Sequence, residues 1–591
     1  MYSFENYYSE DSIIDVLCNY RVSKAKVLHD KRFHRKITNK NIKEKNPELY
    51  KYFPPRKVWH KFRPRRAQRS QIHNHTLISL KRAVYWYQKN YPEEEWLQSL
   101  NHIVETIRNR VLVTESFSFS SPKIRPEHKK GNNYRAISSL STLEDKVIDN
   151  LNAKYLREIL DVTFEPCSVA FRGGESRHLN RDSAIESIID YHDKNKASPI
   201  FVTECDIRGF FDCVHHSAAK HALRRAEELL KIRDPKVKLD SRSKIIFNAY
   251  LSNFTFSHHV KQKEGVLKKR EKNDCAVYKW PDKQDTNTAG PYYLDYYHKN
   301  TKLANIGIPQ GGAHSCFIAN LLLDTADKEV LLALSGLNEP SLYLRFCDDI
   351  IIFTKTQHTA KTAFKAYTKS LEYLKLPFHK ATDLRGYKKE MISSHGSTPR
   401  KIFFEESKTK VAFQWSSRTG GDFYPWIQFL GYQINFDGRI RVRPSSIRKH
   451  KNKSVKLFKE LQDELINNDR KVSSKRVLRR FNSKVWAFSS GRVNIKQKHS
   501  KPLEMCWCNG FVKLSGRAYN KKQICDLDEH TGQLNFRMMR FLKKLGNQGG
   551  QKSSVKDADN VEHLAFFGAP FSHKKQFNLS VEDAKNAEHE S

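Results

Sequence analysis

Residues 343–353 read YLRFCDDIIIF, a β-rich run in which two adjacent aspartates, Asp348 and Asp349, interrupt otherwise apolar sequence. Charge buried in an apolar strand is expensive unless it is paired or holds a cation. The plain alternative is a polar hairpin turn, because Asp favours turns. A second stretch, FVTECDIRGFFD at 201–212, also ends an apolar strand on a carboxylate, Asp206, followed by Ile207. Two such strands side by side bring Asp206 close to Asp348 and Asp349. Clustered carboxylates repel and need cations, and hard oxygen ligands favour Mg²⁺ or Mn²⁺. Two such ions can activate an attacking 3′-hydroxyl and stabilise a leaving pyrophosphate in an in-line displacement.

A third stretch, GIPQGGAHSCFIANLLLD at 307–324, is a Gly-rich turn leading into a helix that starts near Ser315. Gly311 and Gly312 allow the backbone to approach a ligand closely. By itself this is a common pattern.

The chain has 591 residues, with 105 Lys and Arg against 65 Asp and Glu, a formal net charge of +40. Such a surplus repels itself unless a polyanion offsets it, and nucleic acid is the obvious polyanion. Hydrophobic residues make up 38%, with 35 Phe and 25 Tyr, enough for real cores and against disorder. The first residues, MYSFENYYSEDSIIDVL, carry acidic side chains and do not read as a signal peptide. The most apolar stretch, Phe317 to Leu337, is broken by Asp324, Asp327, Lys328 and Glu329, too charged for a membrane span. Ten cysteines lie without paired spacing, so reduced thiols and a cytoplasmic location are expected. Cys506, Cys508 and Cys525, with His530 nearby, lack zinc-site spacing and read as ordinary core cysteines.

Helical spacing recurs over about His75 to Leu112 and over 141–160, and strands are expected around a basic turn at 113–138. Short β runs follow at Pro199–Cys205, Leu342–Phe346 with Ile350–Phe353, Val411–Trp415 and Trp426–Ile434. Strands with helices between them suggest an α+β sheet domain. Expected segments are a basic N-terminal extension at 1–74, a sheet-bearing region at 75–445 with an insertion at about 225–300, a basic helical region at 446–545, and a linker and tail at 546–591.

Taken in order, the three motifs resemble the palm motifs of reverse transcriptases. Asp206 matches the first-motif aspartate. Gly307, Pro309, Gln310, Gly311, Ser315 and Asn320 match the second motif, and Phe346-Cys347-Asp348-Asp349 matches the aromatic-x-Asp-Asp box, with Cys where Ala is commoner. YRAISSLSTLEDKVIDNLNAKYLREIL at 134–160 resembles the fingers segment of group II intron and retron enzymes. That likeness implies triphosphate contacts from Arg135 and from Lys129 and Lys130 upstream. SVAFRGGES at 168–176 resembles that group's Ser-x-Gly-Phe-Arg-Pro-Gly element, with Ala170 and Gly173 as departures, and implies a template or primer role for Arg172. Lys408 matches a later motif's lysine, and FLGYQINFDG at 429–438, including Gly431, resembles the primer-grip hairpin. Asp437-Gly438 is a tight-turn signal in its own right. Each basic residue also has a plain reading: Arg135 as a surface residue, Arg172 as a cap or an acid's partner, Lys408 as part of a charged run. Phe210 and Phe211 read equally as core.

The resemblance implies an α+β right-hand polymerase of fingers, palm and thumb, with the basic N-terminal extension and helical C-terminal region attached. It implies two Mg²⁺ ions, or Mn²⁺, held by Asp206, Ile207, Asp348 and Asp349. In reverse transcriptases the fifth residue after the first aspartate is usually a bulky aromatic under the sugar. That residue is Phe211, so dNTPs are expected over rNTPs, together with Gln310 in the nucleotide site, and Gly311, Ser315 and Gly431 near template and primer. Implied partners are an RNA template, a DNA product and dNTPs, with no membrane; an oligomer is compatible. The basic extension, the long stretch between Asp212 and Gly307 and the helical C-terminal region resemble bacterial abortive-infection and defence-associated reverse transcriptases, several of which act with a dedicated non-coding RNA. The alternatives are a group II intron-type maturase and a catalytically silent RNA-binding protein on a polymerase scaffold. Tyr2, Tyr7 and Tyr8 read either as protein primers or as ordinary terminal tyrosines.

Overall fold

The computed structural model describes residues 3–38, 48–59, 72–113, 115–128, 134–262, 276–278, 288–289, 305–381, 403–404, 407–418, 422–466, 472–485, 514, 517–547 and 555–556. They form two compact units, each assembled from two separate stretches. One unit comprises Met1–Leu17 with Ser99–Leu430, the other Cys18–Gln98 with Gly431–Ser591. The breaks between them fall at 17/18, 98/99 and 430/431.

In the first unit, β1 (Lys123–His128) and β2 (Tyr134–Ser139) form an antiparallel ribbon. Helix α1 (Leu143–Leu160) is N-capped by Thr142, whose side chain accepts from the Asp145 amide and satisfies one orphan N–H. Helix α2 (Arg181–Asn195) begins with a capping box between Asn180 and Ser183. Then come β3 (Ile200–Asp206), α3 (His216–Arg233), α4 (Ser241–Asn253), α5 (Ala313–Ser335), β4 (Leu342–Phe346), β5 (Asp349–Thr354), α6 (Gln357–Tyr373), β6 (Lys410–Trp415) and β7 (Phe423–Tyr424).

The central sheet has the order β7-β6-β3-β5-β4. All neighbours are antiparallel except β6 and β7. Val202, Ile350, Ile351, Ile352 and Phe353 are buried, as β-branched and aromatic residues in sheet interiors are. Helix α5 is buried on nearly every side, including Phe317, Ile318, Leu321, Leu322, Ala326 and Val330. That accounts for its near-continuous apolar sequence. Among the described residues, no helix is long and apolar enough to cross a membrane.

In the second unit, β8 (Tyr432–Asn435) and β9 (Ile440–Val442) pair across the Asp437-Gly438 turn, with Gly438 at φ 84. Helices α7 (Pro444–Ile466), α8 (Ser474–Val485) and α9 (Arg517–Asn547) share a core of Phe458, Leu461, Leu465, Val477, Leu478, Phe481, Leu534, Met538 and Leu542. Cys525 is exposed on α9, which corrects its reading as a core cysteine: it falls on the solvent face of an amphipathic helix. Cys506 and Cys508 lie outside the described residues. Tyr7 and Tyr8 of the first unit are buried, Tyr7 bonding Glu158 and Tyr8 the Ile148 carbonyl at 3.2 Å. Tyr2 lies outside the described residues.

Candidate active site

The register of the central sheet brings the two aspartate-bearing stretches together. Asp206, the last residue of β3, faces Asp349, the first of β5. Phe346 also pairs with Asp349, so Cys347 and Asp348 form a two-residue hairpin turn. Turns of this length need positive φ, and Cys347 sits at φ 60 without being glycine. Asp349 is exposed, and Asp348 and Asp206 are half-buried.

The turn is held from below. Arg345 Nη1 donates to the Cys347 carbonyl at 3.1 Å. The same guanidinium grips Asp327 of α5, Nε to Oδ1 at 2.8 Å and Nη2 to Oδ2 at 2.6 Å, and both side chains are 0% exposed. Tyr343 Oη donates to Asp327 Oδ1 at 2.8 Å, and Arg345 Nη1 reaches Asn320 Oδ1 at 3.2 Å. Burial opposes the Arg345 charge, but Asp327 outweighs it and the guanidinium is pushed up from its ordinary value. Sequence reading missed this pair. Its signal was two charged residues inside apolar runs, at Asp327 and Arg345.

Lys408 Nζ lies 2.5 Å from Asp206 Oδ2, with its side chain 62% exposed. Two residues along each strand, Lys410 pairs with Glu204 in the same way. The Ile207 side chain is aliphatic and buried, and only its main-chain carbonyl carries an atom that could offer a metal ligand. Among the described residues, no three His, Cys, Asp or Glu side chains converge closely enough to hold a metal ion as they stand. The donor chemistry, carboxylates alone, fits a hard divalent cation.

The Gly-rich turn is tied to the end of β3. The Ile308 amide donates to the Phe211 carbonyl, and the Gly307 amide to the Val214 carbonyl, both at 2.8 Å. His216 bonds the Gly307 carbonyl at 2.7 Å through Nε2. Gln310 is buried and donates to Asp212 Oδ1 at 2.7 Å. Phe211 is half-buried, its ring 5.2 Å from that of the fully buried Phe210. Gly311 has φ 98 and open space where a Cβ would go. A Cβ on Gly312 would come within 2.2 Å of the Tyr250 hydroxyl, so that glycine makes room for a protein side chain. Ser315 is buried, bonding the Tyr250 hydroxyl at 2.8 Å and the Pro309 carbonyl. The start of α5 is capped from α1: Asp149 accepts from the Ala313 amide at 2.8 Å and from His314 Nδ1 at 2.7 Å.

Arg172 is turned inward. Its guanidinium bonds Asp161 at 2.9 Å and the carbonyls of Glu165 and Ser168 at 2.8 Å each. This matches its reading as an acid's partner, and the side chain braces the loop that carries Phe171. Arg135 is on β2, but its side chain, like Lys129 and Lys130, lies outside the described residues. Gly431 belongs to the second unit, where it precedes β8 at φ 87.

No family model matches the chain, and no curated protein sequence matches it. Solved structures it is similar to include telomerase from Candida albicans in complex with a TWJ fragment of telomeric RNA, at 13% identity over 84% of this chain and 78% of that one, with a TM-score of 0.31. Apo telomerase from Candida tropicalis gives 12% identity over 95% and 90%, with a TM-score of 0.33. Coverage is broad and superposition loose, so the functional reading rests on the residues.

Proposed function

We propose that the chain is an RNA-directed DNA polymerase that adds dNTPs to a 3′-hydroxyl. The observation that carries this reading is the register of Asp206 against Asp349, with Asp348 in the adjoining turn. Asp206, Asp348 and the Ile207 main chain are the groups that would hold divalent cations, with Asp349 beside them. Bound there, two Mg²⁺ ions would supply activation of the 3′-hydroxyl and neutralise the pyrophosphate leaving group. Phe211 and the Gln310–Asp212 pair flank the sugar position, Phe211 by bulk against a 2′-hydroxyl. Lys408, exposed at the rim, is suited to meet the triphosphate once Asp206 engages a cation. The net charge of +40 supports a nucleic-acid partner held with strong salt dependence.

The sheet and its flanking helices correspond in this reading to palm and fingers, and the basic helices of the second unit to the thumb. The sequence resemblance to defence-associated enzymes supports an antiphage role with a dedicated non-coding RNA. Phage plating with and without Asp348→Ala/Asp349→Ala tests that role; unchanged protection discards it.

A silent RNA-binding scaffold is the second reading, favoured by the Lys408–Asp206 contact. Primer extension with dNTPs and Mg²⁺ separates the two. Extension by wild type and none by Asp348→Ala/Asp349→Ala supports the polymerase, and no extension by wild type supports the scaffold.

A further inference from the structure

The loop between α1 and α2 carries one residue out of keeping with its neighbours. Val169, Ala170 and Arg172 are buried, whereas Phe171 is 42% exposed. Its φ is 55, in the left-handed region that a bulky side chain rarely adopts. Glycine would sit there without strain. An exposed aromatic ring in a strained conformation works against stability twice, and such positions concentrate at functional sites.

The strain is imposed from both sides. Before Phe171, the Val169 amide donates to the Arg345 carbonyl at 2.9 Å, and Asn320 Nδ2 donates to the Ala170 carbonyl at 2.6 Å. After it, Arg172 is fastened to Asp161, and the Gly173 amide donates to Asp161 Oδ1 at 2.7 Å. Asn320 and Arg345 are the same residues that brace the aspartate hairpin. Loop and hairpin are thus fixed to one buried network, and Phe171 is held beside the catalytic candidates. Its ring lies 6.1 Å from that of Phe346, tilted by 48°, and Phe346 is the strand partner of Asp349.

We propose that Phe171, backed by Phe346, is a stacking ledge for the terminal nucleobase of the strand whose 3′-hydroxyl reacts. This rests on the polymerase reading, in which the reacting strand end is delivered to the hairpin beside these rings. Aromatic faces accept any base, so the ledge would position the end without selecting sequence. The two rings are too close and too tilted to sandwich a base between them. One face of Phe171 therefore takes the base, and the tilted Phe346 ring backs it.

The test uses full-length protein and a primer–template duplex with 2-aminopurine at the primer 3′ terminus, with Ca²⁺ to allow binding without extension. Phe171→Gly removes the ring and relieves the backbone, so it separates stacking from folding. Its melting temperature is expected to hold, its affinity for the primer end to fall about tenfold, and the probe's fluorescence change to shrink. In extension assays its KM for primer rises far more than kcat falls. Phe171→Tyr, which keeps a ring, is expected to bind within about twofold of wild type. Wild-type extension together with unaltered binding and fluorescence in Phe171→Gly overturns the ledge. A wild type that neither binds nor extends the primer overturns the polymerase reading itself.

Discussion

Charge is handled in two ways on the two sides of the β4–β5 hairpin. Below it, Arg345 and Asp327 are fully buried and locked to each other, to Tyr343 and to Asn320. Above it, Asp206, Asp348 and Asp349 stand half-buried or exposed beside a largely exposed Lys408. The buried set has no room to exchange partners, and its work is geometric. The outer set is open to solvent, and in the proposed polymerase Asp206 would exchange Lys408 for a metal ion. The motif-bearing segments thus contribute two kinds of residue, those that build the turn and those that the turn presents.

The comparison breaks most simply at the outer carboxylates. Asp348→Ala/Asp349→Ala is expected to reduce primer extension to background while leaving the melting temperature near that of wild type, since both residues reach solvent. A large loss of stability would move them into the structural class. Beneath the hairpin the expectation reverses. Arg345→Met leaves Asp327 buried without its cation and should cost roughly 3–5 kcal/mol in denaturant unfolding. Arg345→Met with Asp327→Leu should recover most of that stability. If the double variant is no more stable than the single, the pair is not the unit described.

Phe211 tests the rim of the site. Phe211→Ala is expected to lower discrimination of dNTPs against rNTPs by roughly tenfold or more, read as the ratio of kcat/KM values. A preference for rNTPs in wild type would overturn the assignment of product.

Histidine burial gives a smaller, pH-dependent effect. Burial pushes His215 and His216 down to about 4. Both stay neutral in the folded chain and protonate more readily when unfolded. Their contribution to stability is complete above the ordinary value of 6.5 and is lost as pH falls from there toward 4. The unfolding midpoint should fall across that window, and His216→Gln should flatten the slope.

The smallest effect belongs to Lys408. Its ion pair with Asp206 is solvent-screened, so Lys408→Ala should change stability by less than about 1 kcal/mol while raising the KM for dNTPs. A marked stability loss would place Lys408 with the buried set.

The outer residues were legible in the sequence because carboxylates ending apolar β runs violate local expectation. Asp206, Asp348 and Asp349 announced themselves, and the register then paired Asp206 with Asp349. The Asp437-Gly438 turn followed from local chemistry alone. Arg345 and Asp327 did not emerge, since they lie on different elements and nothing in periodicity couples them. Arg172 shows a related limit: an arginine in a motif reads alike whether it meets nucleic acid or, as here, a buried Asp161. Ser315 and Gly312 resemble ligand-facing positions, yet Gly312 makes room for Tyr250, and Ser315 bonds that hydroxyl and the Pro309 carbonyl. The two units, each built from separated stretches, could not be read from linear composition.

Asp206 offers the most direct test, because it reaches the site from a different strand than the hairpin. Single-nucleotide incorporation by wild type and Asp206→Asn, titrated with Mg²⁺ and with Mn²⁺, should show metal-dependent dNTP addition by wild type. Asp206→Asn should stay at background with either ion, with an unchanged melting temperature. Incorporation by Asp206→Asn at the wild-type rate, or none by wild type under any condition, would contradict the account.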